Sequence, residues 1–203
     1  MPPSGSRIVY VAKSLGFSLG VLLFSLAAAP PAPELLAQLR QGALILYMRH
    51  ASTDFSQNDA AMRSYDDCAH QRNLTDRGRD EARAIGAHIK RLNIPIGEVL
   101  ASPFCRTMET ARLAFGRATP MQEARGGPAQ PDDPARYGPL RRLMGTRPSA
   151  GANTVIVSHG NPFHAVAGPP YLVEGEVAVV RPEEGERFSV IGRIRPQDWE
   201  HKP

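Results

Sequence analysis

Three short apolar segments, each followed at once by polar residues, constrain the fold of this 203-residue chain more than any other feature. They occupy residues 43–48 (ALILYM), 99–101 (VLA) and 154–157 (TVIV). Continuous apolar runs of this length are typical of strands that are buried on both faces, as in a parallel sheet. Because ligands bind outside the carboxyl ends of the strands in such sheets, the polar residues that follow the segments are expected to meet at one edge.

Helical patterns alternate with these segments. The spacing of Ala82, Ile85 and Ile89 predicts a helix that begins at Asp76, with Thr75 as its N-terminal cap. The other predicted elements are helices at 34–41 and 106–115, a helical turn at 140–144, and two strands of a hairpin at 177–180 and 188–194. The sequence therefore predicts an α/β fold, a three-layer αβα domain with a mostly parallel central sheet and an antiparallel C-terminal hairpin.

The N-terminal residues differ in composition from the rest. Arg7 and Lys13 precede an apolar stretch that ends in three alanines, which is the pattern of a secretory signal peptide. The uninterrupted apolar run of about 15 residues is shorter than the roughly 20 that a membrane-spanning helix needs. We predict a signal peptide at 1–29, a linker at 30–40 and one domain at 41–203. The protein is then periplasmic or secreted, or, if the segment is an uncleaved anchor, attached to the membrane and facing outside the cytoplasm.

The charge of the chain suits an anionic small molecule better than a polymer. The formal net charge is +4 at pH 7, and the arginines are scattered rather than clustered on one recognisable module. Nucleic-acid binding requires such a cluster or module, so no nucleic-acid partner is predicted. Contact with a membrane is predicted only through an uncleaved N-terminal segment.

Cys68 and Cys105 are the only cysteines of the chain. Export would place them in an oxidising compartment, which predicts a disulfide, with two buried free thiols as the alternative. Cys68 and His70 are close in sequence, but no second pair stands at the spacing of metal ligands, so neither a metal nor a cofactor is predicted. A metal-binding protein that uses His159, His164 and Cys68 is a further alternative.

The residues after the apolar segments suit phosphoryl transfer. These segments end at Arg49-His50, at the run 102–106 (SPFCR) and at Ser158-His159. Arginine offers a planar set of donors that matches phosphate oxygens, and a neutral imidazole is a competent covalent nucleophile. Two histidines and two arginines at one sheet edge could therefore bind and transfer a phosphoryl group.

Four sequence blocks resemble the successive motifs of the histidine phosphatase superfamily, which includes the cofactor-dependent phosphoglycerate mutases and many phosphatases. The blocks are YMRHAST (47–53), NLTDRGRDEARAIGAHI (73–89), VLASPFCRTMETA (99–111) and VIVSHGN (155–161). Their order and spacing are similar to the family's, and the match is closer to short exported bacterial members than to the mutases.

The resemblance implies that His50 is the nucleophile that becomes phosphorylated, without a metal. It implies that Arg49, Arg106 and His159 bind the phosphoryl group. The expected function is an exported phosphatase that hydrolyses a small-molecule phosphomonoester. The alternatives are a catalytically weak or silent anion-binding module of the same fold, and a phosphomutase.

Two departures from the family pattern affect the site. Ala51 stands where the family has a glycine, and its small side chain is expected to fit unless the position requires a positive φ. The general acid is predicted at Glu123, in the loop between the second and third strand segments. Glu176 is the rival, and Glu174 is a further candidate on geometry. Thr53 is predicted to bind substrate.

Overall fold

The computed structural model describes residues 33–126 and 135–200. The signal peptide predicted at 1–29 lies outside them. The helices are α1 (Pro33–Gln41), α2 (Asp76–Arg91), α3 (Cys105–Phe115), α4 (Gly138–Gly145) and α5 (Gly160–Ala167). The strands are β1 (Ile45–Arg49), β2 (Ile96–Ala101), β3 (Thr119–Pro120), β4 (Asn153–Ser158), β5 (Val177–Pro182) and β6 (Phe188–Ile194). Short 3-10 helices occupy Cys68–His70, Gln122–Ala124, Glu184–Glu186 and Pro196–Glu200.

The six strands form one mixed sheet with the order β3-β2-β4-β1-β5-β6. The pairs β1–β4, β2–β4 and β2–β3 are parallel, whereas β5 is antiparallel to both β1 and β6. The predicted parallel sheet with an antiparallel C-terminal hairpin is therefore confirmed. The three apolar segments form β1, β2 and β4. These strands lie side by side, so their carboxyl ends share one edge of the sheet.

Helices cover both faces of the sheet, as the alternation of side chains along β1 requires. Leu46 and Met48 pack in a cluster that includes residues of α1, α2 and α3. Ile45 and Tyr47 point to the other face and pack with residues of α4 and α5. Every side chain of this strand except that of Arg49 is buried, which explains its continuous apolar run. The three-layer αβα architecture is confirmed.

Helix α2 forms as its sequence predicts. The Thr75 hydroxyl accepts a hydrogen bond from the Gly78 N–H at 3.0 Å, which satisfies one of the free donors at the helix start. A Cβ atom at Gly86 would lie 2.0 Å from the carbonyl oxygen of Ala114, so glycine allows α2 and α3 to pack backbone against backbone. This contact holds α3, which carries Arg106, against the rest of the domain.

The N-terminal part of the domain extends further than its predicted boundary. Residues 33–40, which we assigned to a linker, lie in α1, and the three leucines of this helix pack into the core. The domain therefore begins at or before Pro33. Helix α5 was not predicted, because it is short and contains Pro162. Within residues 33–126 and 135–200, no helix has the length and apolar character needed to cross a membrane.

Candidate active site

The two histidines meet because β1 and β4 are neighbouring parallel strands. Arg49 lies opposite Ser158 in the register, and the His50 N–H donates to the Ser158 carbonyl at 2.9 Å. His50 and His159 therefore leave the sheet at the same level. Their ring centroids are 5.4 Å apart, and both side chains are almost completely buried.

The environment of His50 favours a neutral imidazole with a free Nε2. Its Nδ1 lies 2.9 Å from the carbonyl oxygen of Ala51. A carbonyl only accepts hydrogen bonds, so Nδ1 carries the proton and Nε2 keeps its lone pair. Burial lowers the pKa of His50 well below its ordinary value, and the positive charges of Arg106 and Arg49 act in the same direction. The ring is thus unprotonated at neutral pH, as a nucleophile must be.

His159 is held by neighbours from two other segments. Its Nε2 lies 2.8 Å from the hydroxyl oxygen of Ser102, a fully buried residue that directly follows β2. The ring of Phe104 meets it edge to face at 5.1 Å between centroids. A Cβ atom at Gly126 would lie 2.9 Å from the imidazole, so only glycine allows the chain to close over the ring. Burial, followed by the charges of His50 and Arg106, lowers the pKa of His159 well below its ordinary value.

Three arginines face the two histidines across one small cavity of about 220 Å³. Arg49 is the last residue of β1, Arg106 lies in the first turn of α3, and Arg72 lies in the loop before α2. The residues that line the cavity are Arg49, His50, Arg72, Arg106, Gly126, His159, Gly160, Asn161 and Tyr171. A cavity of this size accommodates a phosphoryl group and is smaller than the 300–1,000 Å³ of typical ligand sites. The rest of a substrate must therefore lie at its mouth.

Both predicted arginines are held by hydrogen bonds to acceptors of the protein. Arg49 Nη1 donates to the Leu172 carbonyl at 2.8 Å. Arg106 Nη1 donates to Asp59 Oδ1 at 3.0 Å and to the Arg72 carbonyl at 3.3 Å. The Nε atoms of Arg49 and Arg106 are buried and have no hydrogen-bond partner among the described residues. Each guanidinium is thus fixed in place and retains donors for an anion.

The loop before β5 binds the catalytic segment at several points. Its Gly175 N–H donates to the His50 carbonyl at 3.0 Å, and its Glu176 carbonyl accepts from the Arg49 N–H at 3.0 Å. The carboxylate of Glu174 lies 3.5 Å from Arg49 Nη2 and 3.9 Å from His50 Nδ1. A negative charge at this position is suited to stabilising both the arginine and any positive charge on the imidazole.

Thr53 is buried and does not line the cavity. Its hydroxyl donates to Glu174 Oε1 at 2.6 Å, and its backbone N–H lies 3.2 Å from Glu174 Oε2. Thr53 was predicted to bind substrate, but it binds Glu174 instead. This contact orients the Glu174 carboxylate beside His50.

Neither predicted proton donor lines the cavity. Glu123 is exposed on the 3-10 helix Gln122–Ala124. Glu176 is buried, accepts a hydrogen bond from the Val173 N–H at 2.8 Å and lies 3.8 Å from Arg193 Nη1. It stabilises the loop before β5 rather than facing the two histidines. In the described part of the chain, none of the residues lining the cavity carries a carboxylate.

The predicted disulfide between Cys68 and Cys105 is confirmed. It joins the loop before α2 to the residue beside Arg106. The N–H of Cys105 also donates to the Gln71 side-chain oxygen at 2.9 Å, so hydrogen bonding supplements the covalent link. Because Cys68 is in the disulfide, it is not a metal ligand. Within the described ranges, no three His, Cys, Asp or Glu side chains are grouped so as to hold a metal ion.

Alanine is accommodated at position 51. Its φ is not positive, and the residue is fully buried. The Ala51 N–H lies 3.2 Å from the Thr110 hydroxyl oxygen, while its carbonyl orients His50. The departure from the family pattern thus leaves the histidine in position.

Three residues of the site were not assigned these roles from the sequence. Arg72 lies within a loop that has no periodic pattern, so nothing in the sequence singles it out. Ser102 stood among the polar residues after β2, and its contact with His159 depends on the pairing of β2 with β4. Glu174 was noted only as a candidate acid.

Comparison with known proteins identifies the family pattern over part of the chain. Residues 45–126 match the family described as histidine phosphatase superfamily (branch 1). No curated protein matches the chain significantly.

The fold is also found in solved structures. The protein histidine phosphatase SixA complexed with tungstate has a TM-score of 0.54 and 22% identity, covering 75% of this chain and 97% of that one. A mycobacterial glucosyl-3-phosphoglycerate phosphatase with inorganic phosphate has a TM-score of 0.57 and 16% identity, covering 77% and 99%. A phosphoserine phosphatase variant from Entamoeba histolytica with phosphoserine has a TM-score of 0.54 and 13% identity, covering 76% and 98%. At these identities the likeness establishes the fold alone.

Proposed function

We propose that this chain is a histidine phosphatase, a hydrolase that cleaves a phosphomonoester through a phosphohistidine at Nε2 of His50. One observation carries the proposal: two buried neutral imidazoles, 5.4 Å apart, share a small cavity with three arginines. The match of residues 45–126 to the superfamily supports it. The solved neighbours are a protein histidine phosphatase, a phosphoserine phosphatase variant and a glucosyl-3-phosphoglycerate phosphatase, so they do not define a substrate for this chain.

The mechanism uses two displacements at phosphorus. The lone pair of His50 Nε2 attacks, the P–O ester bond breaks, and the leaving oxygen takes a proton from water or a donor. Water then attacks the phosphohistidine, the P–N bond breaks, and inorganic phosphate and neutral His50 result. Arg49, Arg72 and Arg106 stabilise the charge on the equatorial oxygens. In this proposal His159, which lines the same cavity, donates to one of them.

We also propose that residues 1–29 direct export. The basic start and the apolar run support a signal peptide. The Cys68–Cys105 disulfide is compatible with export, because disulfides persist in oxidising compartments.

The test of the proposed function is the covalent intermediate. Rapid quenching with p-nitrophenyl phosphate should leave an acid-labile, base-stable phosphoryl group on the peptide that contains His50. His50→Ala should lose activity on the order of 10⁴-fold, because the nucleophile is removed.

His88→Asn is the matched control, since His88 lies in the last turn of α2 and does not line the cavity. This variant should keep both the adduct and the rate. If His50→Ala keeps most of the activity, His50 is not the nucleophile. If the wild-type protein binds phosphate but neither turns over nor becomes labelled, the silent anion-binding module is correct instead.

A further inference from the structure

Three of the four exposed large apolar side chains among the described residues lie on the two loops that carry Arg72 and Tyr171, both of which line the phosphate cavity. Four such side chains are exposed, namely Phe55, Tyr171, Val173 and Val190. Val190 lies on the edge strand β6, whereas the other three lie on the two loops that flank the cavity. Single exposed apolar residues are ordinary, but their concentration beside a concave polar site indicates a surface that contacts a ligand.

Tyr171 is held in a fixed position at the mouth of the cavity. Its ring stacks on the ring of His164, with centroids 4.3 Å apart and an interplanar angle of 15°. A Cβ atom at Gly160 would lie 3.0 Å from the Tyr171 ring, so glycine lets the ring rest on the segment that carries His159. Arg193 Nη2 also donates to the Pro170 carbonyl at 2.7 Å, which holds this loop. The Tyr171 side chain is nevertheless 53% exposed.

Phe55 lies beside the third arginine of the cavity. The guanidinium carbon of Arg72 is 4.7 Å from the Phe55 ring centroid, a cation–π distance. Arg72 lines the cavity, and Phe55 is 70% exposed. Two exposed aromatic rings are thus associated with the site: Tyr171 lines the cavity itself, and the Phe55 ring contacts Arg72, which also lines it.

We infer that the substrate carries an aromatic ring next to its phosphoryl group, and that this ring packs against Tyr171 and Phe55 at the cavity mouth. The inference rests on the proposed function and narrows its substrate class to aryl and arylmethyl phosphates. The phosphoryl group fills the cavity of about 220 Å³, so the adjoining group has to occupy the mouth. Aromatic pairs gain attraction beyond the burial of their area, which corresponds to about 3- to 10-fold in affinity.

The lining of the cavity is consistent with the aryl members of this class. A phenol has a pKa near that of tyrosine, about 10, so a phenolate leaves with less help from a proton donor than an alkoxide does. Among the described residues, the lining side chains include no carboxylate to supply such help.

The test measures binding of phosphonates, which resemble phosphomonoesters but have no ester bond to hydrolyse. Benzylphosphonate and cyclohexylmethylphosphonate have the same length and nearly the same bulk, and only the first is aromatic. Calorimetry on the full chain should give benzylphosphonate an affinity about 3- to 10-fold higher. Each affinity is divided by that for methylphosphonate. A change in how the three arginines of the cavity bind the phosphonate group then cancels from the ratio.

Tyr171→Leu and Phe55→Leu keep an apolar side chain and remove the ring, so each should lower the aromatic preference. Val190→Ala, an exposed apolar side chain on the hairpin, is the matched control and should leave it unchanged. Equal binding of the two phosphonates by the wild-type protein, or a preference that survives in both variants, would overturn the inference. Absence of hydrolysis would contradict the proposed function separately, because phosphonate binding requires no turnover.

Discussion

Removal of the Cys68–Cys105 disulfide should weaken both the fold and the phosphate site. The cysteines are separated by 37 residues, and closing a loop of that length lowers the entropy of the unfolded chain. The chain-entropy model converts this length to about 4 kcal/mol of stability. With a urea dependence of about 2 kcal/mol per M, the unfolding midpoint of the reduced protein should fall by about 2 M.

The same loop supplies two of the contacts that hold Arg106. Asp59 accepts from Arg106 Nη1 at 3.0 Å, and the Arg72 carbonyl accepts from the same atom at 3.3 Å. Gln71 binds the N–H of Cys105. Once the covalent link is lost, the loop that carries Arg72 and Asp59 is tied to α3 by hydrogen bonds and one ion pair. We therefore expect weaker binding of inorganic phosphate in addition to the loss of stability.

The assay compares oxidised and reduced protein in urea unfolding and in phosphate inhibition of p-nitrophenyl phosphate hydrolysis. Reductant can reach the bridge, because Cys68 is exposed. The double variant Cys68→Ser/Cys105→Ser should resemble the reduced protein and should not respond to reductant. If the reduced protein unfolds within about 0.5 M of the oxidised midpoint and binds phosphate equally well, the bridge has neither role.

Two further predictions concern charge in the site. Glu174→Gln removes a negative charge 3.5 Å from Arg49 and 3.9 Å from His50, and should slow phosphohistidine formation on the order of 10-fold in single-turnover quenching. The exposed Glu184→Gln on the hairpin turn is its control, and an unchanged rate in Glu174→Gln would show that the carboxylate does not act on the histidine. Burial lowers the folded-state pKa of His50 and His159, so below pH about 6.5 the unfolded chain binds more protons than the folded one. The thermal midpoint should therefore fall as the pH drops from 7.5 to 5.5, and an unchanged midpoint would contradict the buried neutral state of these rings.

The parts of the fold that the sequence predicted best are those with local, repetitive signals. The apolar run before Arg49 predicted β1, and Thr75 predicted the start of α2 at Asp76, where its hydroxyl accepts the Gly78 N–H. These signals lie within a few residues of the elements that they specify. They also placed His50 and His159 at strand ends, from which both reach one cavity.

The remaining features depend on contacts between distant segments. The strand order brings β1 beside β4, and no local pattern encodes that order. Arg72 reaches the cavity only because its loop is tied to α3, and Glu174 approaches His50 only because β5 pairs with β1. Glu123 lies in the expected loop of the chain, but the 3-10 helix there leaves it exposed.

The residue-by-residue pairing of β1 with β4 has a consequence for how such an enzyme can diversify. The strands that carry the two imidazoles are neighbours at the roughly 4.8 Å spacing of hydrogen-bonded strands, so backbone pairing brings the rings together and side-chain contacts such as that of Ser102 with His159 then orient them. The side chains of Phe55 and Tyr171 take no part in that pairing, although their loops also carry Arg72 and Glu174 of the site. Selection or engineering can therefore exchange the side chains at positions 55 and 171 to change substrate preference. A one-residue slip of β1, in contrast, would turn its side chains to the opposite face of the sheet and abolish the chemistry.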